Sequence, residues 1–120
     1  MSYSKYRALK TTVGGVTFDS GLEARRYTQL VMLEEGEVIS NLQLQPKFRL
    51  MDSYKYDGKT IKAIDYIADF MYEEDGKRIV EDVKGIRTKE YIIKSKLFIK
   101  KYIIDQKDVD EFREMKRGDF

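Results

Sequence analysis

The hydrophobic positions change period along the chain. Between Ser20 and Gly36, Leu22, Tyr27, Leu30, Val31 and Leu33 fall on one side of a helix, which predicts a helix to about Glu35. Ser20 followed three residues later by Glu23 reads as a capping box, and Gly36 is a stop. From Val38 to Leu50 the period drops to two: Leu42, Leu44, Phe48 and Leu50 alternate with Gln43, Gln45, Lys47 and Arg49. Pro46 cannot donate to a ladder, so this predicted strand is an edge or carries a bulge. Gln45 either points into a site or lies on the surface. Met51 to Thr60 reads as a polar turn around Asp57-Gly58. Ile61 to Tyr72 is predicted as one long strand, with Ile61, Ala63, Asp65, Ile67, Asp69 and Met71 on one face and Ile64, Tyr66, Phe70 and Tyr72 on the other. Arg78 to Lys84 is its partner, ending at Gly85. Thr88 caps a second helix from Lys89 to about Lys100, whose apolar side is Tyr91, Ile92, Ser95, Leu97, Phe98 and Ile99. Tyr102-Ile103-Ile104 then predicts a short strand, and Val109 to Met115 a short terminal helix. Residues 1–15 read as a basic, aromatic arm. The fold class is α/β: helix, three-stranded antiparallel meander, helix and short strand, in a single domain over 1–120.

The turn at Asp75-Gly76 sets the register of the central hairpin. Asp-Gly favours a two-residue loop, because both central residues of that turn need positive φ. Glu74 then pairs with Lys77, Met71 faces Val80, Asp69 faces Asp82 and Ile67 faces Lys84. Like charges directly opposite destabilise a sheet, and a carboxylate inside it costs several kcal/mol unless it is paired or coordinated. A divalent cation between Asp69 and Asp82 removes both problems. Lys84, two residues beyond Asp82, shares its face. Glu81 is the alternative acid; alternation turns it away from Lys84, and a β-bulge would reverse the choice.

Composition narrows the chemistry. The chain has no cysteine and no histidine, so disulfides, thiolate metal sites and imidazole catalysis are excluded. A metal site must be built from oxygen ligands, which suits Mg²⁺, Mn²⁺ or Ca²⁺. Net charge is only +2, but Lys84, Arg87, Lys89, Lys94, Lys96, Lys100 and Lys101 cluster against the single acid Glu90. Such a stretch beside acids suits a polyanion approaching a metal, and equally a solvated helix face. No apolar run reaches the length of a membrane span and no secretory signal stands at the start, so the expected location is cytoplasmic.

Three motifs in order, Phe18-Asp-Ser-Gly-Leu-Glu23, Ala68-Asp69-Phe70 and Val80-Glu-Asp-Val-Lys84-Gly85, resemble those of the PD-(D/E)XK nuclease superfamily, and within it the phage endonuclease I-type branched-DNA resolvases and related small phage nuclease-like proteins. The likeness spans roughly Val16 to Lys101. It implies a restriction-endonuclease-like core and a Mg²⁺-dependent DNA endonuclease, with Mn²⁺ as substitute, acting in phage recombination or replication with branched, Holliday-junction-like DNA favoured. By the same resemblance Glu23, Asp69 and Asp82 are metal-site acids and Lys84 is the catalytic lysine. Lys89, Lys94 and Lys96 then hold the DNA backbone, helped by Arg87 and Thr88. A phage-encoded chain would work in the bacterial host cell. Ala68 stands where the superfamily often has proline, and Asp82 where the resolvase has glutamate. A homodimer is needed for an obligate symmetric cut but not for a nick. The alternatives are a non-catalytic nucleic-acid-binding module on the same fold and a purely structural protein.

Overall fold

The computed structural model describes residues 10–120. The chain runs β1 (Thr11–Val13), β2 (Val16–Phe18), α1 (Gly21–Glu35), β3 (Ser40–Leu44), β4 (Lys47–Met51), β5 (Tyr54–Tyr56), β6 (Lys59–Ile61), β7 (Ile64–Ile67), β8 (Phe70–Glu74), β9 (Lys77–Val83), α2 (Lys89–Phe98) and β10 (Glu111–Met115). It is a small mixed α/β domain. No helix among the described residues is long and apolar enough to cross a membrane.

The central sheet has the order β10-β9-β8-β3, antiparallel except for the parallel pair β9 and β10. β8 and β9 are the inner strands, and β9 is the more deeply buried. Its run Ile79-Val80-Glu81-Asp82-Val83 is buried throughout, because both faces of the sheet are covered. Ile79 and Val83 join Phe18, Ala24, Leu30, Phe70 and Tyr72 in a core beneath α1. Val80 joins Tyr66, Ala68, Tyr91 and Phe98 in a second core beneath α2. Burying two acids in such a strand demands compensation on each face.

The central turn forms as expected. Glu74 pairs with Lys77, and Asp75 and Gly76 take φ of 52° and 76°, the left-handed pair of a two-residue hairpin. α1 also begins and ends as expected, with the Ser20 hydroxyl accepting from the Glu23 amide at 3.1 Å.

Other expectations are corrected. The strand over 38–50 is two strands in different sheets, parted at Gln45-Pro46, where Gln45 has φ 51° and is exposed. The long strand over 61–72 is three pieces, so Ile67 does not face Lys84; it pairs with Lys47 in a separate β4–β7 ribbon and is 57% exposed. The polar turn over 51–60 is the β5–β6 hairpin around Asp57-Gly58. Of the basic arm over 1–15, residues 1–9 lie outside the described residues. Thr11 to Phe18 is a hairpin turning at Gly14-Gly15, with Val13 and Val16 packed against the α1 core.

The last two elements exchange types. Tyr102 to Ile104 continue α2 as a wider, π-type helical segment, Ile99–Asp105. The final strand is Glu111–Met115, paired with Ile79 to Val83 of β9. Val109, Phe112 and Met115 are spaced by three, which imitates a helix. In the sheet, Phe112 packs against the α2 core and Met115 against the α1 core.

Candidate functional site

The site forms where two ladders bend together. Leu44 pairs with Phe70, the Gln45 amide donates to the Asp69 carbonyl at 2.9 Å, the Ala68 amide donates to the Pro46 carbonyl at 3.0 Å, and Lys47 pairs with Ile67. The strands thus stay bonded through a kink at which both leave the central sheet. The kink changes which way residues face. Tyr66, expected beside Phe70 and Tyr72, instead lies in the α2 core with Val80. Its hydroxyl donates to Oδ2 of Asp82. Asp69, freed at the bend, accepts the Val83 amide on Oδ2 at 2.8 Å.

Asp82 is 1% exposed, and its Oδ1 has no hydrogen-bond partner. Lys84 Nζ stands 3.5 Å from that oxygen, within ion-pair range, and also 4.4 Å from the centroid of the Tyr91 ring. Burial pushes the Asp82 carboxyl up to about 8, helped by the charge of the neighbouring Asp69; Lys84 and Tyr66 pull the other way. Asp69 is also raised, by burial first and by the charge of Glu23, against the Val83 amide and Lys84. Glu23, 7% exposed, is raised by burial and then by Asp19 and Asp82, and lies within hydrogen-bonding reach of Asp69. Tyr66 rises by burial and the nearby Asp82. Three acids shifted upward, each by burial first and by a neighbouring carboxylate after it, describe a desolvated acidic cluster.

Glu23 and Asp69 look onto an open cleft of about 800 Å³, lined also by Lys84, Ser20 and Thr88, while Asp82 is buried and does not line it. Ser20 caps α1 and Thr88 caps α2, so two helix N-termini border it, each carrying partial positive charge and free amides. Arg25 and Arg117 add formal charge at the lining. The Glu23 carboxylate does not close the capping box; among the described residues the only bond of that motif is Ser20 Oγ to the Glu23 amide. Its side chain belongs to the cleft.

Glu81 is placed elsewhere. Arg26 grips it with Nε to Oε2 at 2.7 Å and Nη2 to Oε1 at 2.8 Å, and the Tyr72 hydroxyl donates to Oε1 at 2.7 Å. Glu81 is fully buried on the α1 face, its acceptors occupied. Arg26 was legible as an oddity, lying at i+4 from Leu22 and i−4 from Leu30 inside the apolar stripe. Tyr66 had no such signal, because simple alternation sends it to the other face.

Glu23, Asp69, Asp82 and Lys84 therefore converge, and the proposed backbone contacts are less uniform. Thr88 caps α2, accepting the Tyr91 amide at 3.1 Å. Arg87 is bonded to Glu114 at 2.9 Å and Lys94 to Glu90 at 2.9 Å. Lys89 and Lys96 are exposed, but the outward side of α2 also shows Ile93 and Leu97, 59% and 49% exposed. This helix is not a continuous basic face.

Among the described residues no three acidic side chains form a ready-made metal cage. The nucleus available is a pair, Asp69 and Asp82. That suits Mg²⁺, which keeps several waters and binds through one or two carboxylates plus phosphate oxygens. The unserved Oδ1 of buried Asp82 fits a cation.

The chain belongs to the family described as "Protein of unknown function (DUF1064)", which matches residues 3–116. No curated protein matches it.

Proposed function

We propose that this member of the family is a Mg²⁺-dependent DNA endonuclease with a restriction-endonuclease-like core. The observation that carries the reading is Asp82: a buried carboxylate with one oxygen lacking a hydrogen-bond donor, beside Asp69 and Lys84, which line an open cleft. The order α1, β3-β8-β9 meander, α2 and β10 agrees with it.

Asp69 and Asp82 would hold the metal, with Glu23 reaching it directly or through water. When bound, the metal supplies charge stabilisation at the phosphate and a more acidic water. Tyr66 fixes Oδ2 of Asp82 and leaves Oδ1 without a hydrogen-bond donor, 3.5 Å from the Lys84 ammonium. Lys84 is placed to donate to the attacking water or to a phosphate oxygen as charge develops there. The amides at the starts of α1 and α2 receive flanking phosphates. Branched DNA is the favoured substrate, with the resemblance as its only support.

The first test is cleavage of supercoiled, linear, flapped and four-way-junction DNA in Mg²⁺. Cutting is expected with Mg²⁺ or Mn²⁺ and none in chelator. Lys84→Met is expected to slow it by about 10²–10³-fold, the range for loss of one donor to developing charge. A Lys84→Met protein that cuts at the wild-type rate overturns the mechanism.

Metal binding is expected to release protons. With the Asp82 carboxyl at about 8, the apo site keeps a proton at pH 7 that the metal must displace. Calorimetry with Mn²⁺ in buffers of different ionisation enthalpy should show roughly one proton released at pH 7, falling toward zero above pH 9. Affinity should rise with pH across that window. Equal heats in all buffers at pH 7 would show that no protonated acid is displaced.

A further inference from the structure

The β5–β6 hairpin has no place in the site described above. It joins β4 to β7, and every residue from Asp52 to Thr60 is exposed. The ladder pairs Tyr54 with Ile61, Lys55 with Thr60 and Tyr56 with Lys59. Alternation then puts Tyr54, Tyr56 and Lys59 on one face of the ribbon, and Lys55 and Thr60 on the other. Tyr54 and Tyr56 are 50% and 71% exposed. Among the described residues, Lys55, Lys59 and Lys62 have no acidic partner within ion-pair distance, unlike Arg49, which is held by Asp52 and Asp65.

Two physical points argue that something covers this ribbon. A two-stranded hairpin alone in water is marginally stable. Here neither strand belongs to a larger sheet. The domain also departs from a compact shape: its radius of gyration is 16.2 Å, against about 13.6 Å for a compact chain of this length. Its extents of 52 × 46 × 25 Å are those of a flattened body. The hairpin is continuous with the site, since the β4–β7 ribbon from which it grows begins at the Asp69 kink.

We propose that the β5–β6 hairpin is a nucleic-acid-binding arm that lies along DNA whose backbone enters the cleft. This rests on the reading of the cleft as a DNA-cleaving site. Unpaired lysines on both faces match two flanking phosphate rows. Exposed tyrosines give flat surfaces for sugars or unstacked bases. A two-stranded ribbon has the width of a DNA groove. A second copy of this chain fits less well, because the tyrosine face a copy would cover carries Lys59 opposite Tyr56 and would bring like charges together.

The test uses three variants of the full chain. In one, residues 52–63 are replaced by an Asn-Gly turn, which the Met51–Ile64 pair accommodates. The second is Tyr54→Ser with Tyr56→Ser, and the third Lys55→Gln, Lys59→Gln and Lys62→Gln. Binding to duplex and four-way-junction DNA is measured in Ca²⁺ across a salt series, with sedimentation and Mn²⁺ calorimetry on the same samples. Each variant is expected to lose at least about 10-fold in DNA affinity at 0.1 M salt. The lysine variant's salt slope should shrink by about 2–3, near 0.9 for each phosphate that is no longer neutralised. Mn²⁺ binding should be unchanged, which shows that the site is intact. Unchanged DNA affinity overturns the arm, as does a drop in sedimenting mass without loss of DNA binding, which would make it a self-association element. Wild-type protein that neither binds nor cuts DNA removes the nuclease reading and the arm together. Wild-type cleavage matched by the variant lacking the hairpin removes the arm alone.

Discussion

Asp82→Asn should abolish metal-dependent cleavage and yet make the metal-free protein more stable. The activity loss is expected at about 10³-fold or more, since a charge stabiliser contributing several kcal/mol is removed at 1.36 kcal/mol per tenfold. Stability moves the other way because of where the carboxylate sits. Asp82 is buried, one oxygen lacks a donor, and Asp69 lies within hydrogen-bonding reach. An amide keeps the bond from Tyr66, can donate to Asp69, and removes the repulsion. The pH dependence has a definite sign. The folded-state value, about 8, is above the unfolded value of about 3.9. The contribution to stability is therefore fully present below pH 4 and is lost progressively as pH rises through 8. Thermal unfolding in chelator should show wild type falling between pH 5 and 8, and Asp82→Asn falling less. The gap should reach about 5–10 °C near pH 9, the shift expected for one to two kcal/mol in a domain of this size. Saturating Mn²⁺ should reverse the order, since it stabilises only the protein that binds it. If Asp82→Asn is less stable than wild type in chelator at every pH, the carboxylate is a structural partner and its burial needs another explanation.

What could be read from the chain alone depended on how local its cause is. The two-residue turn at Asp75-Gly76 depends on local φ preferences, so its register followed from two residue types. The α1 cap at Ser20 was equally local. Strand alternation held along β9, placing Glu81 and Asp82 on opposite faces. It failed between Ile61 and Phe70, where no single residue announces the kink. That bend exists because the paired chains pass at Pro46 and Asp69 from the β3–β8 ladder of the central sheet into the separate β4–β7 ribbon, and only the pairing of two distant segments reveals it. The consequences reach the site: Tyr66 turns to Asp82, and Asp69 turns to the Val83 amide. At the C-terminal end the failure has a different origin. A three-residue apolar spacing in a segment that contributes one residue to each core is compatible with both helix and strand. The parallel partner β9 decided it.

Arg26→Met is expected to be strongly destabilising. It strips both guanidinium bonds from Glu81, a residue with no exposure to solvent. Only the Tyr72 hydroxyl then remains to serve a buried charge. Breaking one side of a buried ion pair costs about 3–5 kcal/mol, a large part of the stability of a small domain. Urea unfolding should read this as a lower midpoint with the same slope. The double variant Arg26→Met, Glu81→Leu should recover most of the loss, because a well-packed apolar pair can replace a buried ion pair at little net change. The same double variant also decides between the two neighbouring acids. Glu81 lies on the α1 face and Asp82 on the opposite face, bonded to Tyr66 of the α2 core. If Asp82 is the metal acid, the refolded double variant should cleave DNA within a few-fold of wild type and bind Mn²⁺ as before. A stably folded double variant that has lost both would transfer the role to Glu81. The buried pair would then have to open for the reaction, against its own bidentate geometry.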